Sequence, residues 1–180
     1  EAFNIDGLGK KVIDQFWDLK LVKTPSDIFN LNYNKINTLE GWGDLSVTNL
    51  KKAIDKAKTI SLNRFIYSIG IRHIGQENAK ILSEFFKDIE KFSSMFSNHK
   101  RKEILNHLVD LDGIGKTQIK SIESFFLNKK NLGVVESLIK VLKVKSFKNI
   151  NKKGKFSNKN IMFTGGFEKI SRSEAKALTE

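Results

Sequence analysis

Four times the chain writes the same short phrase: an apolar residue, a tight glycine turn, then the polar start of a helix. The copies are Ile5-Asp6-Gly7-Leu8-Gly9-Lys10, Leu39-Glu40-Gly41-Trp42-Gly43-Asp44, Ile71-Arg72-His73-Ile74-Gly75-Gln76 and Leu111-Asp112-Gly113-Ile114-Gly115-Lys116. Their middle positions, Gly7, Gly41, His73 and Gly113, lie 34, 32 and 40 residues apart. Recurrence at that interval marks an internal repeat. Glycine turns the backbone through conformations closed to other residues and lets a second backbone come close. The helix that follows offers unpaired N–H groups and the positive end of its dipole to an anion. In a chain of net charge +12, the anion implied is a nucleic-acid backbone.

The flanking stretches read as short helices with one apolar face. Val12, Ile13, Phe16, Trp17 and Leu19 recur at helical spacing after the first turn, and Leu45, Leu50, Ala53, Ile54 and Ala57 after the second. Ala79, Leu82, Phe85 and Phe86 follow the third, and Ile119, Ile122, Phe125 and Phe126 the fourth. Each such face must pack on the helix before its turn. The lone proline lies in Thr24-Pro25-Ser26-Asp27, a loop-to-helix start. The predicted fold over residues 1–145 is therefore mainly α, a tandem helix-hairpin-helix array of four hairpins. Residues 146–159 are basic and polar, a linker composition. Beyond them Asn160–Gly166 reads as one strand ending in a glycine turn, and Ser171-Arg172-Ser173-Glu174 as the capped start of a helix. One strand and one helix cannot close a core, so residues 160–180 are expected to be an incomplete second domain.

Composition narrows the options. Cysteine is absent, which removes disulfides, thiolate metal sites and cysteine nucleophiles together and agrees with a cytoplasmic location. No apolar run approaches the roughly 18 residues of a membrane span, and the N-terminus lacks the regions of a signal peptide. Charge is uneven: residues 129–180 hold 13 Lys/Arg and 4 Asp/Glu, against 19 and 16 in residues 1–128. Of the 32 bases 28 are Lys, with Asn and Ile abundant, so codon bias is an alternative source of the excess. His73, His99 and His107 show no metal-ligand spacing, so no metal site is expected.

The strings Glu1–Gly9, Arg64–Gly75 and Leu111–Gly115 resemble the helix-hairpin-helix domain of bacterial NAD-dependent DNA ligases. In the third turn His73 replaces the first glycine while Gly75 is retained, a feature of that family. Ile161–Gly165 followed by Ser171–Leu178 resembles the first strand and helix of the BRCT domain that ends those ligases. The resemblance implies a parent enzyme acting in DNA replication and repair. It also implies an adenylation domain, NAD, Mg and a structural Zn, all outside residues 1–180. This chain alone is then not an enzyme and carries no cofactor. Its partners would be duplex or nicked DNA and the other ligase domains, with no membrane and a monomeric state favoured. Two other readings stand beside this one: a separate DNA-repair scaffold built on the same array, and a protein–protein module whose turns are only structural.

The DNA-binding residues expected from the repeat are Gly7, Gly9, Lys10, Gly41, Gly43, Arg72, His73, Gly75, Gln76, Gly113, Gly115, Lys116 and Thr117. Backbone N–H groups at and just after the second glycine would hold phosphates, a contact that carries no base information. Lys10, Lys116 and Thr117 stand where side chains would reinforce those amides. Asp44 would oppose a phosphate, which makes the second turn the weakest of the four, and Trp42 reads as a core anchor. Lys116 does not read as a glycosylase-type nucleophile, because residues 124–135 contain no Asp or Glu to assist it.

Overall fold

The computed structural model describes residues 2–148. Helices dominate them. The first, α1 (Lys10–Asp18), leads into a 3-10 turn at Pro25–Asn30 and the short α2 (Tyr33–Asn37). Then come α3 (Asp44–Ala57), a three-residue strand β1 (Thr59–Ser61), α4 (Leu62–Ser68) and α5 (Gln76–Phe86). The short α6 (Ile89–Ser93) and a 3-10 turn at Ser94–Phe96 precede α7 (Asn98–Leu108), α8 (Lys116–Leu127), α9 (Lys129–Val141) and β2 (Lys143–Lys145). The expected linker, except for residues 146–148, and the expected strand and helix of residues 160–180 lie outside the described residues.

All four repeats adopt one backbone. The third residue is left-handed each time, with φ of 80° at Gly7, 82° at Gly41, 63° at His73 and 87° at Gly113. The fourth residue donates its N–H to the carbonyl of the first at 3.0–3.1 Å, as in Leu8 to Ile5 and Ile114 to Leu111. The fifth residue, always glycine, is the N-cap of the helix that follows. The fourth side chain (Leu8, Trp42, Ile74 or Ile114) turns inward and fastens the turn to the core. Helices α2, α4 and α7 precede the second, third and fourth turns; no helix precedes the first among the described residues.

At His73 a side chain occupies the left-handed region, which costs a non-glycine residue about 1–2 kcal/mol. Replacing His73 by Gly is expected to hold or raise the urea midpoint. Replacing it by Val, which tolerates that region worst, is expected to cost about 1–2 kcal/mol. Equal losses from both would show that the imidazole, not the backbone, sets the stability of this turn.

Phenylalanine fills the centre. Phe92 is 1% exposed and meets Phe65, Phe86 and Phe126 edge to face, with centroids 6.1, 5.2 and 5.7 Å away. Such pairs add about 0.5–1.5 kcal/mol beyond their buried area. The stripes read from the sequence supply most of this core, with exceptions on the first two repeats. Trp17, Leu19 and Leu45 are 59%, 42% and 74% exposed. Val47, rather than Leu45, joins Leu50, Ile54 and Ala57 on the buried face of α3.

The two strands pair in parallel, Ile60 opposite Val144. The Lys143 N–H continues the ladder to the Lys58 carbonyl at 2.7 Å, and the Phe147 N–H reaches the Lys87 carbonyl at 2.7 Å. The compact unit runs through Lys148. At the start of the Pro25 turn, Thr24 and Asp27 form a reciprocal cap. Burial pushes the Asp27 carboxyl up, but the N–H groups of Lys23 and Thr24, at 2.8 and 2.7 Å, outweigh it and hold the group below its usual range.

Candidate nucleic-acid interface

The four turns pair off through reciprocal contacts. In the first pair, Leu50 of α3 lies under Gly7 of turn one. Trp42 of turn two stacks on Phe16 of α1 at 5.4 Å and donates its indole N–H to Gln15 at 3.1 Å. The second pair repeats the scheme. Ile81 of α5 presses against Gly113 of turn four, and Asn78 of α5 donates to the Gly113 carbonyl at 2.8 Å. In return, turn three flanks α8: Arg72 and His73 share an open groove of about 640 Å³ with Thr117 and Lys120. Turns one, two and four are thus each held by the helix that the partner turn launches, and turn three faces α8 across the groove. This fixes the spacing of the helix N-termini within a pair, the condition for two anion contacts to act together.

The two glycines of a turn have different reasons to be glycine. At Gly113 φ is +87°, which strains any side chain, and a Cβ would stand 2.6 Å from Ile81 Cδ1, so that Ile81 would also have to move. The second glycines are in ordinary extended conformations, with φ/ψ of −78°/174° at Gly9, −125°/172° at Gly43, −82°/−172° at Gly75 and −92°/178° at Gly115. A Cβ at Gly9, Gly43 or Gly75 would meet nothing within 4 Å, and at Gly115 only the flexible end of Gln118 at 3.2 Å. Nothing inside the described chain requires glycine there. Ser, Asn or Asp would cap the helix better, so the missing side chain leaves room for an outside group to approach the amides.

The four N-termini are not equally open. The Gly43 N–H is taken by Ser46 Oγ at 2.9 Å, and Asp44 stands at the head of α3 with its carboxylate accepting from Asn37 at 2.8 Å. That end already holds negative charge. Gly115 N–H donates to Gln118 Oε1 at 3.2 Å, an exposed and displaceable partner. At Gly9 and Gly75 no acceptor engages the N–H among the described residues. Lys10 and Gln76 open α1 and α5, and Lys116 and Thr117 open α8, all exposed. Gln76 also borders a smaller hollow of about 380 Å³ with Asn4, Asn63 and Tyr67.

Among the three described arginines only Arg72 is uncommitted. Arg64 spends its guanidinium on the Ala2 carbonyl, with two bonds at 3.0 and 2.6 Å, and Arg101 is buried among carbonyls. Arg72 is exposed and makes no ion pair among the described residues, where the two that occur join Lys58 to Asp55 and Lys91 to Asp88. No group of three His, Asp or Glu able to hold a metal occurs among the described residues. The repeat did not point to Asn78, Lys120, Ser121 or Ser124. The last three were legible, because Thr117, Lys120, Ser121 and Ser124 recur along α8 at helical spacing opposite its apolar face.

A profile described as the helix-hairpin-helix motif matches residues 64–135, the stretch holding turns three and four. A protein named DNA ligase from Pelagibacter ubique (strain HTCC1062) is 55% identical over 180 residues, all of this chain and 26% of that protein. Proteins of the same name from Rickettsia bellii (strain RML369-C) and Rickettsia prowazekii (strain Madrid E) are 38% and 37% identical over 99% of this chain and 27% of theirs. The chain spans about a quarter of the length of these curated relatives.

Proposed function

We propose that this chain, which belongs to the DNA ligase family as a stretch matching about a quarter of its relatives, binds duplex or nicked DNA by its sugar-phosphate backbone without reading sequence. It acts as the tandem helix-hairpin-helix part of an NAD-dependent ligase of replication and repair. Nucleotidyl transfer, with NAD, Mg and the structural Zn, belongs to other parts of that parent protein. The DNA-binding set is the turn glycines Gly7, Gly9, Gly41, Gly43, Gly75, Gly113 and Gly115 with Lys10, Arg72, His73, Gln76, Lys116 and Thr117. Turns one, three and four carry most of the affinity, and turn two, with Asp44 at its helix head, contributes least.

The observation that carries this reading is the second glycine of each turn. It caps a helix in a conformation open to any residue, and at Gly9 and Gly75 it lies beside empty space with its N–H unengaged among the described residues, where an outside phosphate would meet free N–H groups and a positive dipole end. The exposed Arg72, Lys10 and Lys116 add charge at the same edges.

Fluorescence anisotropy of a labelled nicked duplex across a salt series tests the reading. Affinity is expected to fall steeply with salt, the slope reporting about 0.9 counterion per phosphate contact, and to be the same for unrelated sequences. A flat salt response, or no binding at low salt, would leave the turns as joints of a protein-interaction module.

A further inference from the structure

The groove between turn three and α8 starts beside the N-terminus of α8 and runs on along that helix, and its lining is chemically one-sided. Arg72 and His73 form one wall; Thr117, Lys120 and Ser121 form the other, with Ser124 further along. Ile69 and Phe125 supply its apolar part, and no carboxylate lines it. The α8 wall is a helical stripe at i, i+3, i+4 and i+7, beginning in the first turn of the helix where Gly115 is the N-cap. At 1.5 Å per residue it covers about 10 Å, about three base-pair steps of B-form DNA. Ser121 already donates to the Thr117 carbonyl at 2.9 Å. Thr117 and Ser124 are left to donate outward, between the cations Arg72 and Lys120.

Resting on the reading that the N-terminus of α8 holds a phosphate, we propose that this groove carries the same DNA strand onward for two to three nucleotides. The strand is gripped by side chains rather than backbone amides. Arg72 and Lys120 face its phosphates from opposite walls, Thr117 and Ser124 donate to phosphate oxygens, and a sugar rests against Phe125. The stripe explains why α8 has two faces: one apolar for the core, one of hydroxyls and lysine for the strand. The arrangement gives a direction to the path, from turn four along α8 towards Ser124.

The test is anisotropy of a nicked duplex across a salt series, using the full chain. Replacing Lys120 by Gln is expected to lower the salt slope by about one unit and the affinity about three- to ten-fold. Replacing exposed Ser124 by Asp is expected to weaken binding comparably. The pair Ser124→Asp with Glu123→Gln keeps the net charge of the parent, because Glu123 is exposed and outside the groove. If the strand lies in the groove, the pair stays weak. Full recovery in the pair would show that only overall charge matters, and unchanged binding by Lys120→Gln and Ser124→Asp would likewise overturn the path. Gly115→Asp, at the N-cap of α8 where only the flexible end of Gln118 lies near, separates the two readings: loss there without loss in the groove variants defeats the groove alone, and loss in neither defeats both.

Discussion

Replacing Gly75 by Asp is expected to leave the protein as stable as the parent or more so, and to weaken its binding to nicked duplex at least about ten-fold. The two effects come from one carboxylate. Gly75 caps α5 with φ −82° and ψ −172°, and a Cβ there meets nothing within 4 Å. An aspartate fits without strain and accepts from the first-turn N–H groups, improving on glycine by a few tenths of a kcal/mol. Its charge at the positive end of the helix adds about 0.3–1 kcal/mol. The same carboxylate occupies the place a phosphate would take and repels it. A turn that is only structural gains the stability and keeps its affinity; a phosphate clamp gains one and loses the other. Gly75→Val, equally free of strain, is the neutral companion and is expected to lose binding by bulk alone. Undiminished affinity in both variants would remove turn three from the interface.

The first glycines give the opposite pattern. Gly113→Val meets a left-handed φ of 87° and Ile81 Cδ1 at 2.6 Å, so its damage is to the fold. Gly41, with φ 82° and open space around it, pays for conformation alone. Sequence spacing cannot separate these roles, since Gly-x-Gly reads as two equivalent residues until the dihedral angles are known.

What the sequence made legible was local. A left-handed third residue, an N-cap fifth residue and an apolar fourth are all settled within six positions, so four copies announce the same backbone four times. Helical stripes on α5 and α8 were readable for the same reason. Contacts between distant positions left no such trace. Trp17 and Leu45 read as parts of their stripes, yet both stay exposed, and Leu45 stands on the opposite side of α3 from the buried Val47, Leu50, Ile54 and Ala57. The strands β1 and β2 are three residues each, too short for alternation to register, and pair across more than 80 residues. The reciprocal bracing of turns, Leu50 under Gly7 and Asn78 on Gly113, has no sequence period at all.

Arg101 is the clearest such case, and its removal is expected to be strongly destabilising. It lies on α7 in the polar run Asn98-His99-Lys100-Arg101-Lys102-Glu103, yet Arg101 is 4% exposed. Its guanidinium donates to the Met95 carbonyl at 3.0 Å, to the Phe126 carbonyl at 3.3 Å, and to the Asn98 side chain. Phe126 lies in the last turn of α8, where carbonyls lack helical partners and carry the negative end of the dipole. No carboxylate pairs with Arg101 among the described residues; carbonyls neutralise it instead. Arg101→Ala leaves those acceptors buried and opens a cavity beside Phe126, a loss of about 3 kcal/mol, or roughly 6–12 °C in Tm. Arg101→Lys is expected to recover only part of it, because one ammonium cannot reach three acceptors in the planar fork's geometry. Both variants, assayed well below their melting points, are expected to bind nicked DNA like the parent, since α8 meets Arg101 at the end opposite Gly115. Loss of binding by a folded Arg101→Lys protein would instead mean that the guanidinium sets the aim of α8, and with it the N-terminus proposed to meet a phosphate.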